Sequence, residues 1–243
     1  MRILDLGDSA LTVEFAAGFD DAAQRTVVRL DRAIAEERAA GRLNGVVDTV
    51  PTFRSLSVHY DPLTIRRSEL EPHLRDLIDE LPEETSSASR SWRLPVVYGG
   101  DGGPDLAPLA DAGGLTSAQA IERHAGTPVQ VYMLGFLPGF PFMGDIDDRL
   151  RQPRLSEPRT RVPAGSVAVT GRLTAVYPWE SPGGWHLIGR CPVRLFDVGQ
   201  CPPALLAPGD SVTFEPCDEA RIAELERGLA AGELTPDSFR EPA

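Results

Sequence analysis

The side chains best suited to chemistry lie in one arginine-rich stretch, residues 149–194. This stretch contains eight arginines and two acidic residues, whereas the whole chain has a net charge of −12. Because a guanidinium group binds planar anions through paired hydrogen bonds, a local excess of arginine predicts a site for a carboxylate or a phosphate. Arg159, Arg161 and Arg190 are the candidate anion-binding residues.

Two other side chains of this stretch are candidate catalytic residues. Glu180 is a candidate general base; alternatively, it accepts hydrogen bonds from the N–H groups of the turn that follows it. His186 lies between two apolar strand residues, so it is either a catalytic or a structural histidine. For Arg159 and Arg161 the alternative to an anion clamp is a surface ion pair with Glu157 or Glu180.

Proline and glycine are frequent in the loops that carry these side chains. Residues 135–144 read GFLPGFPFMG and residues 181–184 read SPGG. Proline fixes φ, while glycine permits positive φ and close backbone approach, so loops of defined shape are predicted. Their aromatic residues either line a pocket or pack the core. The substrate-binding candidates from these loops are Gly139, Phe140, Tyr177, Ser181, Gly183, Gly184 and Trp185.

Three long motifs resemble the KipI family, also called allophanate hydrolase subunit 1, which includes the B-type subunit of bacterial 5-oxoprolinase. The motifs are GFLPGFPFMGDIDDRL from residue 135, PRTRVPAGSVAVTGR from residue 158 and YPWESPGGWHLIGR from residue 177. The resemblance implies a component of an ATP-dependent 5-oxoprolinase, which hydrolyses 5-oxoproline to glutamate together with partner subunits. It leaves open a binding protein that inhibits a sensor histidine kinase, or a carboxyltransferase-type component acting on urea- or allophanate-like amides.

The same resemblance implies partners and a cofactor. The expected partners are a related barrel protein of the KipA type (allophanate hydrolase subunit 2, or the C-type subunit of 5-oxoprolinase) and a third partner, the A-type subunit. ATP with magnesium is expected for the assembled enzyme. This chain alone is not expected to hold ATP, because all 24 basic residues are arginine and a Walker A loop needs lysine.

Composition excludes several other classes of protein. Without lysine the chain has neither a Schiff-base lysine nor a biotinyl carrier site. A net charge of −12 argues against a nucleic-acid partner. The sequence has no apolar run long enough to span a bilayer and no signal-like N-terminus, and its three cysteines match no common zinc-ligand spacing, so a cytoplasmic protein with free thiols is expected and no metal site is predicted.

Hydrophobic periodicity and turn signals predict an α+β N-terminal domain followed by a mainly-β barrel domain. Residues 1–84 are predicted as a small ββαββα domain, whose second helix begins with a capping box at Ser68. Residues 85–91 are polar and are predicted as a linker. Residues 92–243 contain many short strands, among them Val193–Asp197, and a C-terminal helix. The resemblance implies that this barrel is cyclophilin-like.

Overall fold

The computed structural model describes residues 1–82 and 90–242. The chain separates into two compact units, Met1–Ser87 and Ala88–Ala243. Most of the predicted linker, residues 85–91, lies outside the described residues. Its last two residues belong to the second unit, where Arg90 forms an ion pair with Asp210 at 2.6 Å and Ser91 begins the first barrel strand.

The first unit is a four-stranded antiparallel sheet with two helices on one face. The sheet order is β1-β2-β4-β3, and alternate apolar residues of the strands form a core with the helices. The strand and helix order agrees with the predicted ββαββα pattern. The elements are β1 (Arg2–Asp5), β2 (Ala10–Glu14), α1 (Asp21–Ala39), β3 (Val46–Pro51), β4 (Ser55–Tyr60) and α2 (Arg67–Asp79).

The predicted start of α2 is wrong. The helix begins at Arg67, with Arg66 as its N-cap residue, and Ser68 lies inside the first turn. A capping carboxylate reaches back from the third helical position, and here Glu69 accepts the Arg66 backbone N–H at 3.1 Å. Glu71, the carboxylate of the predicted box, instead pairs with Arg67.

The second unit contains a closed seven-stranded barrel. The strand order around it is β10-β7-β6-β13-β5-β12-β9, with β5 and β13 parallel, and β8 pairs with β11 in a separate two-stranded sheet. The barrel part of the predicted fold is confirmed. The elements are β5 (Ser91–Tyr98), α3 (Leu106–Ala112), α4 (Ser117–Gly126), β6 (Val129–Leu134), β7 (Pro141–Gly144), β8 (Arg159–Val162), β9 (Ser166–Thr170), β10 (Leu173–Val176), β11 (Ser181–Gly183), β12 (His186–Arg190), β13 (Ser211–Pro216) and α5 (Glu219–Ala231).

The predicted strand Val193–Asp197 is also wrong. Val193 and Leu195 are buried in the core, which explains their alternation, but only one isolated bridge, between Phe196 and Ala204, forms there. Apolar alternation reports burial of a face, and a strand also needs a partner backbone in register. In the described part of the chain, none of the helices combines the length and the apolar composition that a bilayer-spanning helix needs.

Candidate functional site

An aromatic cluster centred on Phe140 forms one wall of a cleft in the second unit. Phe140 is almost completely buried, and its ring centroid lies 5.0 Å from that of Tyr177 and 5.8 Å from that of Trp185, both nearly edge-on. The ring of Phe142 lies 5.0 Å from Phe140. Edge-to-face contacts of this kind fix ring orientation, so the wall is preformed.

The cleft has a volume of about 350 Å³. This volume is in the usual range for small-molecule sites, which are mostly apolar with a few polar groups. Five aromatic residues line it, together with residues of β11 and of the segment 154–158. The lining includes Phe136, Phe140, Phe142, Arg154, Leu155, Pro158, Tyr177, Pro182, Gly183, Gly184 and Trp185.

Two glycines allow backbone approaches that a side chain would block. At Gly183, an added Cβ atom would lie 2.4 Å from the Tyr177 hydroxyl oxygen. Gly139 has a φ of +74°, and a Cβ atom there would lie 2.7 Å from Cβ of Phe196. These positions therefore require glycine for close packing, and Gly183 brings the β11 backbone against the tyrosine hydroxyl.

Phe136 stands at the lip of the cleft in an unusual backbone conformation. Its φ is 67°, and the Leu137 N–H donates to the Gly135 carbonyl oxygen at 2.8 Å, so the three residues form a γ-turn. The Phe136 side chain is 66% exposed while its ring stands edge-on to Phe140 at 5.5 Å. A strained, exposed aromatic residue beside a cleft is a frequent feature of ligand sites.

Tyr177 brings a polar group to this apolar wall. The residue is 1% exposed, and among the described residues its hydroxyl has no hydrogen-bond partner. Burial raises the pKa of Tyr177, and the positive charges of Arg154 and Arg159 oppose that rise. The hydroxyl therefore stays protonated near neutral pH and is able to donate a hydrogen bond. The Ser181 hydroxyl oxygen, predicted for the same site, is fully buried without a partner in the described chain, and Ser181 does not line the cleft.

Most arginines of residues 149–194 are neutralised by carboxylates, several of which lie outside that stretch. Arg159 donates to Asp105 at 2.7 Å, not to Glu157 or Glu180. Arg190 pairs with Glu226 of α5 and does not line the cleft. Six of the eight arginines form ion pairs: Arg151, Arg159, Arg161, Arg172, Arg190 and Arg194.

Arg154 differs from these six arginines. It lines the cleft, it is exposed, and its guanidinium group makes no ion pair or hydrogen bond with any described residue. Arg149 is also without an ion pair in the described chain, but it lies in a 3-10 turn next to Asp148 and outside the cleft. Arg154 belongs to the arginine-rich stretch but is not among the predicted site residues, because the sequence gives no sign of which arginines lack acidic partners.

The two candidate catalytic residues both have structural partners. Glu180 accepts from Arg161 Nε at 2.7 Å, so this pair follows the surface alternative, and Glu180 does not line the cleft. His186 Nε2 donates to the carbonyl oxygen of Pro153 at 2.8 Å. The structure thus brings neither side chain into the cleft, although it brings Phe140, Tyr177, Gly183, Gly184 and Trp185 together there, and a catalytic role for Glu180 or His186 stays a prediction.

The chain matches the carboxyltransferase domain, subdomain C and D, over residues 1–206. It is 38% identical to the 5-oxoprolinase B subunit of Bacillus subtilis (strain 168) over 223 residues, covering 88% of this chain and 91% of that protein. It is 39% identical to the 5-oxoprolinase B subunit of Escherichia coli O157:H7 over 215 residues, covering 88% and 95%. The crystal structure of TTHA0988 matches with a TM-score of 0.76 and 36% identity over 86% of this chain; the chain spans 40% of that protein.

The α+β unit and the barrel unit as far as residue 206 match as one sequence, which defines a carboxyltransferase-type domain of subdomains C and D. At 38% and 39% identity over nearly their whole lengths, the bacterial B subunits specify the relationship further. The chain belongs to the family of 5-oxoprolinase B subunits.

Proposed function

We propose that the chain is the B-type subunit of an ATP-dependent 5-oxoprolinase, a lactam hydrolase that opens 5-oxoproline to glutamate together with partner subunits. The observation that carries this proposal is the similarity to two 5-oxoprolinase B subunits over 88% of the chain. The aromatic cleft supports it, because flat, preformed apolar walls suit a small ring.

The composition of the cleft supports a shared active site. Amide hydrolysis needs an activated nucleophile, a general base and donors for the developing oxyanion. Of these groups the cleft offers hydrogen-bond donors, from Tyr177 and Arg154, but no carboxylate or imidazole among its described lining residues. In this proposal the chain binds and orients the substrate, and a partner subunit supplies the general base.

We place ATP on a partner subunit as well. The glycine-rich turn 99–103 is the segment of this chain most similar in composition to a phosphate loop. The first and the last of its N–H groups are already used: Gly99 donates to the Ile188 carbonyl oxygen at 3.0 Å and Gly103 donates to the Gly99 carbonyl oxygen at 2.8 Å. A Cβ atom at Gly103 would lie 2.2 Å from the Ile188 carbonyl oxygen, so Gly103 serves close packing against β12 rather than an open phosphate cradle. When bound in the assembly, ATP with magnesium would supply activation of the amide oxygen.

The proposed partners are a related barrel protein and an A-type subunit, in line with the B designation of the relatives. We propose a cytoplasmic enzyme. In support, Cys191, Cys201 and Cys217 are all free thiols, the usual state in a reducing compartment.

The test is reconstitution from purified subunits. Glutamate and ADP are followed after mixing 5-oxoproline, ATP and magnesium with the chain, with the candidate A-type and C-type subunits, and with all three. We expect turnover in the complete mixture and none from the chain alone. Turnover by the isolated chain would contradict the shared site, and no turnover in the complete mixture would contradict the proposed function.

A further inference from the structure

We infer that Arg154 and the Tyr177 hydroxyl form the recognition pair for a five-membered lactam that carries a carboxylate. Arg154 binds the carboxylate, and the Tyr177 O–H donates to the ring carbonyl oxygen. That the ligand ring is 5-oxoproline rests on the proposed function. That the cleft pairs a site for an anion with a site for an amide carbonyl rests on Arg154 and Tyr177. Arg154 is then a specificity-determining residue.

The charge of the cleft supports this pairing. Among the described residues that line the cleft, Arg154 alone carries a charged side chain, and no carboxylate of the described chain pairs with it. The neighbouring arginines are committed, since Arg159 binds Asp105 and Arg161 binds Glu180, both at 2.7 Å. An unpaired guanidinium beside an apolar wall favours an anionic ligand, and its planar fork matches a carboxylate.

The backbone on both sides of Arg154 is fixed. The carbonyl oxygen of Pro153 accepts from His186 Nε2 at 2.8 Å. The N–H of Leu155 donates to the Gly184 carbonyl oxygen at 2.8 Å. These two bonds hold the backbone of the segment at the cleft, so little backbone entropy is lost when the guanidinium binds a ligand. His186 is in this respect a positioning residue.

The hydroxyl of Tyr177 is unsatisfied within the described chain. Although the residue is buried as a whole, its hydroxyl oxygen keeps some exposure, unlike the fully buried Ser181 hydroxyl oxygen, so it can donate to water or to a ligand in the cleft. The Tyr177 hydroxyl lies where the Gly183 backbone comes closest, and Gly183 also lines the cleft. A ligand carbonyl oxygen would accept its proton while the flat ring packs against Phe140 and Trp185.

Two probes and three variants separate the two interactions. The probes are 5-oxoproline and 2-pyrrolidone, which has the same lactam ring without the carboxylate. The variants are Arg154→Gln, Tyr177→Phe and, as the matched control, Arg149→Gln, the other arginine of the stretch without an ion pair in the described chain. Dissociation constants are measured by calorimetric titration of the complete chain and of the reconstituted complex, together with KM and kcat for 5-oxoproline.

We expect Arg154→Gln to affect the binding of one probe and Tyr177→Phe to affect the binding of both. Arg154→Gln weakens 5-oxoproline binding by about tenfold or more and leaves 2-pyrrolidone binding unchanged, because the variant loses a charge-assisted contact. Tyr177→Phe weakens both probes by about three- to tenfold, the usual range for one hydrogen bond. The control variant Arg149→Gln should leave the affinity for both 5-oxoproline and 2-pyrrolidone unchanged.

Different results would contradict this inference and the proposed function. Equal affinity and equal KM for 5-oxoproline in the wild type and Arg154→Gln would overturn the inference even if the complex turns over. So would an absence of 5-oxoproline binding to both the chain and the complex. Arg154-dependent binding without turnover in the complete mixture would instead keep the site and refute the hydrolase.

Discussion

Arg159 and Asp105 form an ion pair at 2.7 Å between β8 and the turn before α3. The second carboxylate oxygen of Asp105 accepts the Leu187 backbone N–H, also at 2.7 Å, so the pair joins β8, β12 and the α3 turn. An arginine that the sequence nominates as an anion clamp therefore stabilises the barrel beside the cleft. Its charge is not available to a ligand unless Asp105 is released.

This pair gives a prediction about stability. Arg159→Gln should lower the free energy of unfolding by about 2 kcal/mol, because the Asp105 carboxylate, only 13% exposed, loses its counter-charge. The control is Arg161→Gln. Both side chains of the Arg161–Glu180 pair are exposed, so removing this ion pair should change the free energy of unfolding by less than about 0.5 kcal/mol. Urea unfolding of both variants checks this, and equal losses in the two would show that the Asp105 pair is not structural.

A buried histidine in the barrel gives a prediction about pH. His124 Nδ1 accepts the Tyr98 hydroxyl at 2.8 Å, and Nε2 donates to the Thr174 hydroxyl oxygen at 2.9 Å, which in turn donates to the Ala168 carbonyl oxygen. All three groups are thus satisfied with a neutral imidazole. Burial lowers the pKa of His124 to about 3. Burial also raises the pKa of Tyr98, which keeps the donor protonated.

The sign of the pH dependence follows from these pKa values. Above pH 6.5 the histidine is neutral in both the folded and the unfolded chain, so it adds no pH dependence. Below that pH the unfolded chain takes up a proton that the folded chain excludes until about pH 3, so stability falls as the pH falls. At pH 5 the loss from this residue is about 2 kcal/mol.

The check is urea unfolding at pH 7.5 and pH 5.0 for the wild type and His124→Gln. The variant loses stability at both values, but its loss between them should be smaller than that of the wild type by about 2 kcal/mol. An identical pH response in the two proteins would mean that His124 accepts a proton in the folded barrel.

The sequence predicts the wall of the cleft better than it predicts the charges around it. Phe140 comes from the first motif and Tyr177 and Trp185 come from the third, both motifs are rich in proline and glycine, and the rings of Tyr177 and Trp185 both contact Phe140 in the folded barrel. The ion-pair partners of the arginines cannot be predicted in the same way, because they depend on tertiary contacts. Asp105 lies 54 residues before Arg159, and Glu226 lies 36 residues after Arg190. A charge count over a window cannot include such partners.

Arg154 shows that the absence of an ion pair is equally hard to predict from the sequence. Its side chain is distinguished by what it does not contact in the described chain, and an absent contact leaves no local pattern. The γ-turn at Phe136 is similar, since Gly135 and Pro138 indicate a turn but do not say which residue takes the positive φ. Both features need the fold before they can be assigned.

The last prediction separates ligand contact from folding within the aromatic cluster. Phe136 has a φ of 67° and is 66% exposed, so Phe136→Gly relieves backbone strain of about 1 kcal/mol while removing little buried surface. Its stability should stay within about 1 kcal/mol of the wild type, because glycine also gains entropy in the unfolded chain. The affinity for 5-oxoproline should fall by about threefold or more, since an aromatic wall of the cleft is lost.

The contrast is Phe140→Ala, in which the buried ring at the centre of the cluster is removed. That variant should lose about 3 to 5 kcal/mol of stability along with ligand binding. Thermal unfolding and calorimetric titration of both proteins distinguish the two roles. A stability loss in Phe136→Gly as large as that of Phe140→Ala would make Phe136 a core residue. Unchanged 5-oxoproline affinity in Phe136→Gly would place the ligand away from the lip, deeper against Tyr177 and Trp185.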